Sequence, residues 1–151
     1  MINVQELEGR VLPVRFRPQS AFLLPADEAV KAEHLCEINV VYADVKKGEF
    51  IGVGYESMPD QTNTIESEIR GRLREDGLVS MTKIYNDNSP LNGLMVKYRG
   101  SLLNQRDHVV GQGIYFLNEF NKMDQLVGQL DITNKQKSQV RDMTFGTWRL
   151  Y

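Results

Sequence analysis

Apolar and polar residues alternate over several short stretches of this chain, which is the pattern of half-buried β-strands. In residues 10–18, Val14 and Phe16 alternate with Arg15 and Arg17. Prolines 13 and 18 lie in the same stretch, and proline cannot donate a hydrogen bond to a central ladder. The sequence therefore predicts an edge strand or an irregular arm over residues 10–18.

Two pairs of β-rich segments predict hairpins. Residues 36–45 and 49–56 are separated by Lys46-Lys47-Gly48, a short turn that contains glycine. Residues 78–86 and 93–99 flank the polar turn 87–90 in the same way. The tail, residues 143–151, alternates like a final strand, so we expect two hairpins and two terminal strands.

Helical spacing of apolar residues predicts two to three amphipathic helices. Residues 25–35 place Asp27 and Glu28 in a first turn, where negative charge suits the helix dipole. Residues 64–76 carry apolar side chains at i, i+4 and i+8, followed by Gly77 as a C-cap. A third helix is expected over residues 114–130, whose apolar side chains are Phe116, Phe120, Met123, Val127 and Leu130.

These elements together predict an α+β domain built on an antiparallel sheet. The chain has 151 residues, of which 41% are hydrophobic and 25% charged. A length of this order usually forms one domain, so we treat residues 1–151 as a single globular unit.

The charge distribution is uneven. The net charge is -2, which argues against a dedicated duplex-DNA binder. Residues 1–77 contain 9 Lys and Arg against 14 Asp and Glu, whereas residues 78–151 contain 9 against 6. The first half is acidic and the second mildly basic, which leaves room for a local basic face.

The single cysteine, Cys36, excludes an internal disulfide. The N-terminus lacks the basic start and apolar core of a signal peptide, and no apolar run is long enough to span a membrane as a helix. We therefore expect a cytoplasmic protein that has no membrane partner.

One motif carries a resemblance to a known family. The segment Gly111-Gln112-Gly113-Ile114-Tyr115-Phe116 resembles the Gly-x-Gly-Ile-Tyr-Phe strand of ADP-ribosyltransferases. The resemblance implies an NAD-dependent enzyme in which Tyr115 stacks on nicotinamide, an earlier histidine holds the ribose and a later glutamate completes the catalytic set. His34 lacks the small polar residues that follow the family's histidine, and no glutamate follows Glu119.

Other catalytic patterns are weak. Cys36 would need a histidine and an orienting group nearby, and the sequence does not place His108 beside it. Two histidines and one cysteine without paired spacing do not predict a metal site. The Gly-x-Gly of residues 111–113 lacks the third glycine of a phosphate-binding loop. We expect no cofactor, and a non-enzymatic protein is the leading expectation.

The second hairpin combines cations with aromatic rings. Planar rings stack on bases and positive charges follow phosphates, as single-stranded nucleic acid requires. Such a surface, on an OB-like barrel, is the alternative hypothesis. The candidate nucleic-acid-binding residues are Lys83, Tyr85, Lys97, Tyr98, Arg99 and Arg106.

The leading hypothesis is an oligomer-forming assembly or protein-binding subunit, of a size that phages and mobile elements often encode. Neutral amides are frequent in the second half of the chain, and the C-terminus carries the tryptophan, arginine and tyrosine that protein interfaces enrich. We expect the partner to be a second copy or another protein. The candidate interface residues are Arg15, Phe16, Arg17, Phe145, Trp148, Arg149 and Tyr151.

Overall fold

Eight antiparallel strands form a closed barrel in which each strand pairs with its neighbours in sequence and the last pairs with the first. The computed structural model describes residues 2–57, 64–86, 92–117 and 144–151. The strands are β1 (Val11–Pro18), β2 (His34–Asp44), β3 (Glu49–Ser57), β4 (Thr64–Leu73), β5 (Leu78–Tyr85), β6 (Met95–Gln105), β7 (His108–Phe116) and β8 (Phe145–Leu150). Two 3₁₀ turns, η1 (Val4–Leu7) and η2 (Gln19–Ala21), and one helix, α1 (Ala26–Lys31), complete the described elements.

The prediction of an α+β fold is wrong. Within the described residues, α1 is the single α-helix, and it spans only six residues of the predicted segment 25–35. The two predicted hairpins are present as β2–β3 and β5–β6, and the predicted final strand is present as β8. The architecture is therefore an all-β barrel.

The helix predicted over residues 64–76 is strand β4. Its inward positions are Ile65, Ser67, Ile69, Gly71 and Leu73, which alternate with exposed or half-exposed residues. The large apolar residues at i, i+4 and i+8 fit a strand as well as a helix, because four is also a multiple of the strand period of two. Ser67 and Gly71 between them hide the alternation, since both are small.

The helix predicted over residues 114–130 begins as strand instead. Residues Ile114 to Phe116 are the last three of β7 and pair with both β6 and β8. Residues 118–130 lie outside the described part of the chain. The Gly-x-Gly of Gly111 and Gly113 therefore lies within a strand and does not lead into a helix.

Strand β1 is not at an edge, which corrects the prediction for residues 10–18. It pairs with β2 along Val11–Phe16 and with β8 along Arg15–Pro18. Pro13 is tolerated because the β8 ladder reaches only as far as Arg15, so this part of β1 has a ladder on one side.

The barrel interior is filled by the inward side chains of all eight strands, and aromatic rings lie over glycines there. The ring of Phe50 contacts Gly71, and the indole of Trp148 passes beside Gly100 and Gly113, whose Cβ atoms would lie 2.7 Å and 2.6 Å from it. The indole Nε1 donates to the carbonyl of Arg99 at 3.2 Å. Because these glycines have no side chains, the two large rings fit into the space beside them.

One end of the barrel is closed by the N-terminal segment. Val4 and Leu7 of η1 are buried with Ile2 in the same core as the strand residues. The amide of Gly9 donates to the carbonyl of Val40 at 2.8 Å, which ties this segment to β2. At this same end, Arg106 and Asp107 form the turn between β6 and β7, and both have positive φ as a type I′ turn requires.

Candidate functional site

A buried ion pair occupies the barrel interior. Lys83 on β5 and Glu56 on β3 both point inward from the two strands that flank β4, and Lys83 Nζ lies 2.6 Å from Glu56 Oε1. The Tyr85 hydroxyl donates to the same oxygen at 2.7 Å. The side chains of Lys83 and Glu56 are 3% and 7% exposed, so solvent does not screen the pair.

Three aromatic rings surround the Lys83 ammonium. Nζ lies 4.9 Å from the ring centre of Phe16, 4.8 Å from that of Tyr85 and 5.6 Å from that of Tyr98. Aromatic faces attract cations at these distances, and the attraction is stronger away from water. The ammonium is therefore held by one carboxylate and a box of rings.

Burial and the charges of this cluster shift the pKa values of Lys83, Tyr85, Tyr98 and Cys36. Burial alone lowers the pKa of Lys83, but the Glu56 carboxylate and the neighbouring phenols outweigh burial and raise it well above its ordinary value. Burial raises the pKa values of the Tyr85 and Tyr98 phenols. Burial likewise raises the pKa of the Cys36 thiol to about 12, which makes it a poor nucleophile.

Among the described residues, the gap beside this cluster is too narrow to hold a ligand. The packing gap there is about 220 Å³, but it is nowhere wide enough for a water molecule. It is lined by Val14, Phe16, Cys36, Ile38, Ile69, Met81, Lys83 and Tyr98. Nearby, Ser67 Oγ is buried without a hydrogen-bond partner. The ion pair is thus enclosed by its own chain.

The outer surface offers a more accessible feature, a shallow groove of about 800 Å³ across β5, β6, β7 and β8. Its outward-pointing lining is Leu78, Arg99, Ser101, Gln112, Thr147 and Arg149, which we call the basic groove. Arg99 and Arg149 supply charge, and the amide and hydroxyl groups supply hydrogen-bond donors and acceptors.

No carboxylate occupies an outward position on β1, β5, β6, β7 or β8 within the described residues. The cations at these outward positions are Arg15, Arg17, Lys97, Arg99 and Arg149. The described strand residues that point outward on this side therefore contribute positive charge only.

One carboxylate from outside the strands contacts this side. Arg17 and Arg149 each donate to Glu33 Oε1 at 2.6 Å, and Glu33 belongs to the segment that follows α1. The Glu33 side chain is 4% exposed beneath the two guanidiniums. The contact fixes the segment after α1 to the junction of β1 and β8.

The opposite side of the barrel is acidic. Glu37, Tyr55 and Glu66 are direct register partners on β2, β3 and β4, and all point outward. Glu68 is the next outward residue on β4. We call these four residues the acidic row. Within the described residues, Glu37 and Glu66 have no ion-pair partner, whereas Glu68 pairs with Arg70 at 3.0 Å.

The predicted interface residues lie together at the closure of the barrel. Phe16 on β1 is the register partner of Trp148 on β8, and both are buried. Arg15 is exposed beside Arg149, and Tyr151 is 70% exposed with its ring 5.5 Å from the Arg149 guanidinium. Arg17 and Phe145 are half-buried. The structure thus brings the two segments together, but their largest rings hold the barrel closed.

The predicted nucleic-acid residues point in two directions. Lys83, Tyr85 and Tyr98 are inside the barrel, at 2%, 0% and 4% exposure, where they cannot contact a base. Lys97 and Arg99 point outward on β6. Arg106 lies at the tip of the β6–β7 turn, at the far end of the strand from Lys97. The six predicted nucleic-acid-binding residues therefore do not form one surface.

The segment that resembles the ADP-ribosyltransferase strand is buried in β7. Tyr115 is 3% exposed, with its ring 5.6 Å from Phe16 and 6.0 Å from Tyr98. His34 lies at the start of β2, and His108 lies at the opposite end of β7 from Tyr115. Tyr115 thus packs against interior rings and does not face solvent. In the described residues no group of three potential metal ligands occurs either.

Sequence reasoning missed Glu56 as the partner of Lys83. The signal was present in β3, where every second residue faces the interior. These residues are Phe50, Gly52, Gly54 and Glu56. A carboxylate on the same face as two glycines is unexpected in a buried wall, and it requires a cation from another strand.

Comparison with protein-family models, with curated protein sequences and with solved structures found no match. None of the described helices has the length and apolar character needed to cross a membrane.

Proposed function

We propose that this protein is a non-enzymatic assembly subunit that associates with copies of itself through its outer surface. The observation that carries the proposal is the division of the barrel wall into a side whose outward charged residues on the described strands are all cations and a side that bears the acidic row. Complementary charge on one molecule favours association between copies and fixes their orientation.

The interior gives independent support to a role at the surface. The interior cation and carboxylate already satisfy each other at 2.6 Å, and the gap beside them does not admit water. A reaction or a small-molecule ligand would need open space beside such groups. Recognition by the outer wall needs no such space.

The test is the solution mass measured by size exclusion with light scattering over a range of protein concentrations and salt. We expect a mass above the 17.3 kDa of one chain, falling as salt rises. The Debye length shortens from about 10 Å at 0.1 M to about 3 Å at 1 M salt, so contacts between exposed charges weaken over this range. A mass of one chain at every concentration and salt would contradict the proposal.

A second candidate is binding of single-stranded nucleic acid by the same cationic side. Lys97 and Phe116 are outward register partners on β6 and β7, and the Arg149 guanidinium lies 5.5 Å from the exposed Tyr151 ring, so two cations on this side each have a ring beside them. We expect Arg99→Ala to weaken oligonucleotide binding and to reduce its dependence on salt, whereas Arg70→Ala on the acidic side leaves both unchanged. Absence of a salt-dependent anisotropy change with the unaltered protein would exclude this candidate.

We also propose a cytoplasmic location. Cys36 is a buried free thiol, a state that a reducing compartment preserves.

A further inference from the structure

We infer that the contact between copies is head-to-tail, with the basic groove of one copy bound to the acidic row of the next. This inference builds on the proposed self-association and adds which surfaces meet. A two-fold dimer would bring one patch against the same patch of a second copy. Each of the two surfaces would then meet charge of its own sign, so such a dimer is disfavoured. Opposite charges favour the pairing of groove with row and disfavour groove with groove.

The spacing of the charges on the two surfaces matches. Arg149 on β8 and Arg99 on β6 are two strands apart and one outward position apart along the strand, because Arg149, Gln112 and Ser101 share a register row. Glu37 on β2 and Glu68 on β4 have the same relation, because Glu37, Tyr55 and Glu66 share a row. Each pair is thus separated by about 10 Å across the strands and about 7 Å along them.

Exposed apolar residues accompany the charges on both sides. Leu78 in the basic groove is 47% exposed, and Ile114, the register partner of Arg99, is 42% exposed. On the acidic side Ile51 is 37% exposed, next to the half-exposed Val53 and Tyr55 on β3. Apolar contact within a rim of paired charge is the usual composition of a protein interface.

The position of the two surfaces determines how copies would add. The acidic row is centred on β3 and the basic groove on β7, four strands away in a barrel of eight, so the surfaces face opposite directions. A heterologous contact between opposite faces does not close after two copies. The expected product is a filament of barrels that grows at both ends, or a large ring.

The experiment reverses the charge of one surface at a time. The groove variant is Arg99→Glu with Gln112→Glu, and the row variant is Glu37→Lys with Glu66→Lys. All four side chains are exposed, and none has an ion-pair partner among the described residues, so the fold should tolerate the changes. Thermal unfolding of each variant verifies the fold. Lys46→Glu, at the turn between β2 and β3, is the matched control.

We expect each variant alone to have the mass of one chain and Lys46→Glu to assemble like the unaltered protein. An equimolar mixture of the two variants should assemble with the two chains in alternation, since the groove of each variant is opposite in sign to the row of the other. A chain carrying all four changes should assemble again, because both surfaces have changed sign.

The outcomes separate this inference from the proposed function. If the unaltered protein assembles but the groove and row variants assemble equally well, the pairing of these surfaces is wrong while self-association stands. If the mixed variants stay at the mass of one chain while the unaltered protein assembles, the head-to-tail contact is also wrong. If the unaltered protein is monomeric throughout, the proposed function fails and this inference fails with it.

Discussion

Phe50 and Gly71 are direct register partners on β3 and β4, and the ring of Phe50 occupies the place that a side chain at position 71 would fill. Both residues point into the barrel, where Phe50 is 1% exposed. The large residue on one strand is therefore matched by the absence of a side chain on the next, and the wall of the barrel stays closely packed.

Gly71→Ala should lower the free energy of unfolding by about 1–3 kcal/mol, because the new methyl group forces the Phe50 ring aside. Urea unfolding gives the value. In the Gly71→Ala background, Phe50→Leu should recover part of the loss, whereas Phe50→Leu alone should destabilise the protein by leaving a cavity. Equal stability of Gly71→Ala and the unaltered protein would show that the ring does not fill this space.

Glu56→Gln should destabilise the barrel strongly, by about 3–5 kcal/mol, because it leaves the Lys83 ammonium buried without a counter-charge. Replacing both partners, with Glu56→Leu and Lys83→Met, should cost much less than the single change, since no buried charge remains. Glu66→Gln, on the exposed wall, is the control and should change stability by less than about 0.5 kcal/mol. Additive effects of the two single changes in a double-mutant cycle would contradict a direct ion pair.

Stability should fall steadily at alkaline pH. Burial raises the pKa of Cys36 from 9.0 to about 12, so the folded chain keeps a proton that the unfolded chain releases. The raised pKa values of Lys83, Tyr85 and Tyr98 act in the same direction. Their contribution is complete below the pKa values of the unfolded chain and is lost as the pH rises through those of the folded state.

Melting temperatures measured at increasing pH above 9 test this expectation. Cys36→Ala removes the thiol and should make the decline shallower, and Tyr151→Phe, at an exposed phenol, should leave it unchanged. A melting temperature that does not change over this range would contradict the buried titration.

Deletion of residues 147–151 should abolish cooperative unfolding. The deletion removes Trp148, whose indole lies beside Gly100 and Gly113, and removes most of the β8 ladder to β1 and β7. Circular dichroism with temperature provides the measurement. Tyr151→Ala, at a 70% exposed position, is the control and should melt like the unaltered protein. A deleted chain that still melts cooperatively would show that seven strands suffice.

The sequence was informative wherever a strand alternates clearly and a glycine marks its turn. The β2–β3 hairpin is of this kind, with Lys46-Lys47-Gly48 between its strands, and Gly48 has the positive φ that such a turn uses. The alternation along β1 was also visible, but its place in the barrel was not. Pairing of β1 with β8 joins residues more than a hundred positions apart, and no local pattern specifies it.

The burial of the Lys83 side chain could not be predicted from the sequence for a related reason. Lys83 and Tyr85 share one face of β5, as their spacing indicated, but whether that face is wet or buried depends on residues elsewhere. Glu56, 27 positions away, neutralises Lys83 and makes its burial tolerable. In β4, Ser67 and Gly71 are small, so the large apolar residues recur only at every fourth position. A helix and a strand both allow that spacing.

Closure of the barrel by β1 and β8 limits the ways in which copies of this chain can join. Every described strand has a hydrogen-bonded neighbour on each side, so no strand offers a complete free edge to a strand from another molecule, although the part of β1 before Arg15 lacks a ladder to β8. In the proposed pairing of groove with row, the contacts between copies are made by side chains. An assembly of this kind can be taken apart by salt without unfolding its members, and it cannot propagate by templating new β-structure as amyloid does.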